Sequence, residues 1–205
     1  MRKVRSESVL YLLIISLDII AVAFIIWLAS GVDFFALLGY TTLATLLVVC
    51  IDGITAAIAR FLPKKCANHQ AKIYAVSGKE KKFYEKIGIR KWKDKLPEIG
   101  HFTGFRKNRI ADPKNPKYVE RFLMEICYGE IGHFFSCFSG FLLLLFGFIY
   151  PPLWWLISLC VAVINAALNI PFVFILRYNG YKLNALYANL LRKQSRESAK
   201  EQEKN

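Results

Sequence analysis

The 28 Lys and Arg residues of this 205-residue chain leave two long stretches empty, residues 9–59 and 125–176. Both stretches are apolar, and each is long enough to cross a membrane twice. The basic residues gather at the start (Arg2, Lys3, Arg5), in a middle segment from Arg60 to Arg121, and in a tail from Arg177 onward. Lys and Arg collect in cytoplasmic loops and tails, and their asymmetry sets orientation. The pattern therefore predicts an all-α integral membrane protein with four transmembrane helices and both termini and the middle segment in the cytoplasm. The expected spans are 9–29, 34–61, 125–150 and 153–176. Between spans two and three lies a cytoplasmic, partly in-plane helical segment, 62–124, and the whole forms a single membrane domain with a flexible tail at 194–205. The predicted location is a cell membrane, crossed several times.

Composition narrows the functional classes. A net charge of +13 would ordinarily suggest nucleic acid, but the chain is also 55% hydrophobic. Together these read as attraction to the anionic inner leaflet or to phosphate-bearing substrates near it, with no nucleic-acid partner. The five cysteines contain no C-x-x-C pair and read as small buried hydrophobes, with Cys66 a cytoplasmic thiol. Residues 9–29 are too long for a signal-peptide core and no small-residue cleavage site follows, so the first stretch reads as a retained span.

Two external turns are expected, Ser30-Gly31-Val32-Asp33 and Pro151-Pro152, both short. Trp154 and Trp155 are expected at the outer interface as an aromatic belt. Within the middle segment Ile89, Trp92 and Leu96 recur at i, i+3 and i+7 while Arg90, Lys91, Lys93 and Lys95 occupy other faces. That spacing predicts a short helix lying among the headgroups, apolar side down. A Gly- and Pro-punctuated loop is expected over 97–105. Asp112-Pro113 and Asn115-Pro116 signal a turn before a helix that begins near Lys117 and runs into span three.

Ionisable groups inside apolar segments are functional candidates by default. Asp18 lies nine residues into span one, about 14 Å deep at the helical rise. Asp52 lies eight residues before Arg60, about 12 Å deep. Either can serve a substrate or simply hold the bundle together through interhelical hydrogen bonds. The densest cluster is Glu125, Glu130 and His133, which the 100° helical step allows to face one cavity. A His beside a carboxylate suits general base chemistry. Glu130 and His133 at i, i+3 also match half of a di-iron helix pair, but the second pair is missing, and no metal site or cofactor is expected. Past span four, Arg177 can snorkel to the headgroups or hold a phosphate or carboxylate through a bidentate contact.

Three blocks taken together resemble one family. They are Gly88-Ile89-Arg90-Lys91-Trp92-Lys93-Asp94-Lys95-Leu96-Pro97, Glu125-x4-Glu130-x2-His133, and Asn169-Ile170-Pro171 leading into Arg177-Tyr178-Asn179. In this order they resemble the glycosyl-4,4'-diaponeurosporenoate acyltransferases of staphyloxanthin-type carotenoid synthesis, over roughly residues 83–183. The resemblance implies a membrane O-acyltransferase. It would move a fatty acyl group from acyl-CoA, acyl-carrier protein or an acyl-phosphate to a hydroxyl of a lipid-linked sugar, a carotenoid glycoside being one such acceptor. Arg90, Trp92, Lys93, Glu125, Glu130, His133, Asn169, Arg177, Tyr178 and Asn179 match its pattern. On this reading His133 is the base, Glu130 orients it, and Glu125 stands beside them. Arg90, Lys93 and Arg177 hold the donor, Trp92 seats the in-plane helix, and the spans form a groove for membrane lipid and acceptor tails. The competing readings are a non-enzymatic scaffold that binds anionic lipid, a different transferase, and a proton-coupled carrier using Asp18 and Asp52.

Overall fold

The computed structural model describes residues 2–96, 111–146 and 153–202, with side chains from residue 9 onward. The 97–105 loop, the end of span three near Tyr150 and the Pro151-Pro152 turn fall outside these residues. Among the described residues the fold is helical throughout. The long helices are α1 (Arg2–Ser30), α2 (Phe34–Phe61), α5 (Pro116–Ser139) and α6 (Leu153–Gln202), and two short ones, α3 (Gly78–Lys86) and α4 (Ile89–Trp92), lie between α2 and α5. Four segments are long and apolar enough to cross a membrane: Val9–Ser30, Phe34–Phe61, Pro116–Phe146, where α5 continues as a 3-10 stretch, and the start of α6.

Local sequence explains the helix starts. Asp33 caps α2 by accepting from the Ala36 amide at 2.8 Å, and Asn115 caps α5 through the Lys117 and Tyr118 amides, with Pro116 in the first turn, where its missing N–H costs nothing. Ser77 caps α3. Gly88 then takes a left-handed φ of 63°, which lets α4 fold back against α6.

Three apolar clusters hold the bundle. Val22, Ala23 and Ile26 of α1 meet Leu37, Ala44 and Val48 of α2, Leu143, and Trp154, Ile157 and Val161 of α6. Gly140 allows α6 to come close there, since a Cβ on it would stand 3.0 Å from the Ala162 Cα, the small-residue contact typical of membrane helices. Toward the charged end, Val119, Phe122, Leu123 and Ile126 of α5 pack on Leu176 and Leu183 of α6. The third cluster, Tyr84, Ile89, Ile175 and Tyr178, docks α3 and α4 on α6.

Several expectations change here. The Ile89–Trp92–Leu96 edge faces protein, not headgroups: Ile89 is buried, and Trp92 and Leu96 pack on the Tyr84–Tyr178 cluster. Burial against α6 removes that edge from lipid, and α4 is a single turn, too short to lie independently in an interface. Trp154 also points inward, its Nε1 donating to the Leu143 carbonyl at 3.3 Å, while Trp155 remains exposed. The tail expected to be flexible continues α6 as helix to Gln202. Lys, Glu, Gln and Ala are good helix formers, and the helix arrives already nucleated.

Candidate active site

A chain of polar contacts crosses the bundle between α2, α5 and α6. His133 Nδ1 lies 2.8 Å from Asn169 Oδ1. The Asn169 amide group donates to Asp52 Oδ2 at 3.2 Å and to the Asn165 carbonyl and side-chain oxygens, each at 3.1 Å. Asp52 also accepts from the Ser139 hydroxyl and from Asn165 Nδ2 at 3.4 Å, and Asn165 reaches the Ser136 carbonyl at 2.9 Å. The orientation of the Asn169 amide follows from this network. With its NH2 directed at Asp52, its oxygen must face the imidazole. In the neutral ring Nδ1 then carries the hydrogen and Nε2 the lone pair. Stacking on Phe172, with centroids 4.9 Å apart and planes at 13°, fixes the ring further.

Glu130 does not orient this histidine. Its carboxylate pairs with Arg177 Nη1 at 2.6 Å, one turn nearer the charged end. Arg177 is saturated. Nε and Nη2 fork onto Glu80 at 2.5 and 3.1 Å, and Nη1 serves Glu130 and the Ile73 carbonyl. Nη2 also meets the Ala75 carbonyl at 3.4 Å. A guanidinium has five N–H donors, so none is left for a substrate anion. The expected donor-binding role of Arg177 is therefore replaced by a structural one: it fastens residues 73–80 to α5 and α6. Burial pushes the Glu80 carboxyl up, but hydrogen bonds from Arg177 and Tyr84 outweigh it and hold the group below its ordinary range.

Glu125 also leaves the expected cluster. It forms a half-exposed ion pair with Arg60 of α2 at 3.4 Å. Eight residues of α5, about 12 Å and a net turn of about 80°, separate it from His133, and its side chain pairs with Arg60 instead of joining Glu130 and His133.

The other two cations expected to hold the donor, Arg90 of α4 and Lys93 just after it, lie against α6. Arg90 Nε donates to the Tyr178 hydroxyl at 2.6 Å, and Lys93 Nζ donates to Asn179 Oδ1 at 3.1 Å. Lys182 lies over the Tyr178 ring at 4.7 Å. Trp92 is anchored through Nε1 to the Ile87 carbonyl at 3.0 Å, which sets the turn that presents Arg90 and Lys93. Asp18 stands apart from the polar chain, in a groove between α1, α2 and α6.

Sequence reasoning missed Asn165, Ser139, Glu80 and Lys182. Asn165 had a legible signal, since it sits four residues before Asn169 in an otherwise apolar span. Glu80 had none: it is one charge in a Lys-rich run. His69, also passed over, is buried and bonds Asn184 Oδ1 through Nδ1 at 2.6 Å, so it ties the segment after α2 to α6.

A family model described as glycosyl-4,4'-diaponeurosporenoate acyltransferase matches residues 67–189, more than half of the 205 residues. The matched region contains His133, Asn169, Glu130 and Arg177, while Asp18 and Asp52 precede it. No match was found among curated proteins or among solved structures.

Proposed function

The chain belongs to the glycosyl-4,4'-diaponeurosporenoate acyltransferase family, and from that premise we propose that it esterifies a hydroxyl of a lipid-linked sugar at the cytoplasmic face of the cell membrane, with His133 as general base. The observation that supports this reading is the Asp52–Asn169–His133 chain, because a neutral imidazole that donates from Nδ1 to Asn169 has its proton-accepting lone pair on Nε2. Nε2 takes the proton of the acceptor hydroxyl as its oxygen attacks the acyl carbonyl carbon. The tetrahedral adduct collapses, the bond to the donor breaks, and the imidazolium returns its proton to the departing group of the donor. A new ester is formed with no net change in protonation of the histidine. Asn169, braced by Asp52, stabilises the transient cation through the Nδ1 hydrogen bond.

Arg90, Lys93 and Lys182 form the anion-binding layer for the donor headgroup. Arg90 is exposed, and only its Nε is engaged among the described residues. Tyr178 and Asn179 hold these cations in place. Glu130, Glu80 and Arg177 serve the site by fixing the position of α6. The cytoplasmic assignment is supported by the Lys and Arg distribution.

The test is acyl transfer by purified protein, read by lipid mass spectrometry. His133→Ala should lower the rate by about 10²–10⁴-fold, the usual contribution of a general base. Undiminished transfer by this variant at equal folded concentration would overturn the assignment.

A further inference from the structure

The groove that contains Asp18 is not used by the chemistry above. It runs between α1, α2 and α6 as a shallow cleft with a cavity of about 40 Å³, open along one side and lined chiefly by Val, Ile and Leu. Along α1 it extends from Tyr11 to Val22, about 16 Å at the helical rise. Its mouth is formed by Val49 and Leu168, which are 45% and 36% exposed on the apolar outside of the bundle. Entry is thus from the side, out of the hydrocarbon.

Three polar side chains lining this groove, Tyr11, Asp18 and Thr41, make no side-chain hydrogen bond or ion pair among the described residues. Thr41 is completely buried, lines the groove, and its Oγ1 makes no hydrogen bond. Asp18 lines the same space with no hydrogen-bond or ion-pair partner among the described residues. Neighbouring polar groups do not meet this need: Thr45 donates to the Thr41 carbonyl at 2.8 Å, and Asn165 is engaged with Asp52 and Ser136. Unsatisfied polar groups at this depth are costly in lipid. No Lys, Arg or His lines the groove, so an anionic headgroup has no counter-charge there and meets a carboxyl instead. A hydroxyl can donate to Asp18 and accept from Thr41 at once, whereas a bare hydrocarbon satisfies neither.

We propose that the groove between α1, α2 and α6 binds one uncharged lipid through a hydroxyl group held below the headgroup layer by Asp18 and Thr41. The site is independent of the role of His133, since binding and not turnover reports on it. Asn165 lies in the groove wall and also bonds Asp52, so the ligand sits one hydrogen bond away from the polar chain that ends at His133.

The experiment is native mass spectrometry of the full-length chain equilibrated with dioleoylglycerol, with its O-methyl ether, or with phosphatidylglycerol. One dioleoylglycerol should be retained per chain, about tenfold more tightly than either comparison lipid, as expected for one buried hydrogen-bonded hydroxyl. Thr41→Val and Asp18→Leu should each weaken retention to the level of the methyl ether. Ser158→Ala removes the other unpartnered buried hydroxyl, outside the groove lining, and should change nothing. Equal retention of the ether would overturn the proposal, as would retention of detergent only. The wild-type comparison of three lipids decides the matter even if a variant fails to fold. In a folded variant, unchanged retention would equally defeat it.

Discussion

At the scale of single residues, the identity of the basic imidazole nitrogen depends on one amide and one carboxylate. Asp52→Asn supplies a second amide that can donate to Asn169. Asn169 can then turn its own NH2 toward His133, which moves the imidazole hydrogen to Nε2. The expected outcome is a fall in kcat of at least about tenfold with KM nearly unchanged, the signature of a group that positions a base without binding substrate. Asp52→Glu keeps the charge and should recover part of the rate, and a wild-type kcat in Asp52→Asn would remove Asp52 from the mechanism. The sequence made Asp52, His133 and Asn169 visible one at a time, as polar residues in apolar surroundings. Their meeting was not legible, because contacts 117 and 36 residues apart depend on how helices cross. For Glu130 the helical step suggested His133 as partner, yet a full guanidinium charge nearby on α6 competes better for a carboxylate than a neutral ring does.

The Arg177 cluster gives a second residue-scale expectation. Removing one partner of a fully buried, hydrogen-bonded ion pair costs about 3–5 kcal/mol; the Arg177 cluster is partly buried, so Arg177→Ala should lower stability in chemical melts by less than that. The Glu80 carboxyl is held below its ordinary value of 4.5. A group with a depressed folded pKa contributes stability that is complete above the unfolded value and is lost as pH falls through the folded one. The melting temperature should therefore decline as pH drops below about 4.5, and Glu80→Gln should flatten that part of the profile. A profile of equal slope in the variant would assign the acid sensitivity to other carboxylates.

Among the elements, α6 combines roles the sequence divided. The expected span 153–176 and the expected tail are one helix, because nothing between Arg177 and Gln202 stops a helix: the segment contains no Pro, and its only Gly is Gly180. Pro171 is inside the helix, where it lacks the N–H that would reach the Ala167 carbonyl, a common site of bending. It lies between Asn169 and Arg177 and so sets the angle between them. Pro171→Ala should leave helix content unchanged by circular dichroism while acyl transfer falls, and full activity would show that the angle is unimportant. Residues 191–202 are exposed on every face. Deleting 192–205 should leave the melting temperature unaltered.

For the molecule as a whole, the four spans were legible from apolar length and the gaps in basic charge, a signal that follows from the membrane's thickness and needs no tertiary information. The docking of α3 and α4 onto α6 was not, since an amphipathic turn looks the same whether its apolar edge meets lipid or protein. The orientation remains testable: alkaline phosphatase fused after Ser30 should be active outside the cell, and a fluorescent protein at either terminus should mature inside. The reverse pattern would invert the proposed side of reaction.

One further consequence comes from the length of α6 between two of its asparagines. Asn169 touches the proposed base and Asn179 touches Lys93, and ten residues of helix separate them by about 15 Å. On the proposed roles of His133 and Lys93, the helix is a ruler between the reacting carbonyl and the charge that anchors the donor. A thioester at the end of a long flexible arm, with its phosphates at the far end, can span that gap. An acyl-phosphate cannot, because its carbonyl and its charge are only a few bonds apart. The enzyme should accept acyl-CoA or acyl-carrier protein and refuse acyl-phosphate, and turnover of the latter would mean that its anion is held somewhere other than beside Lys93.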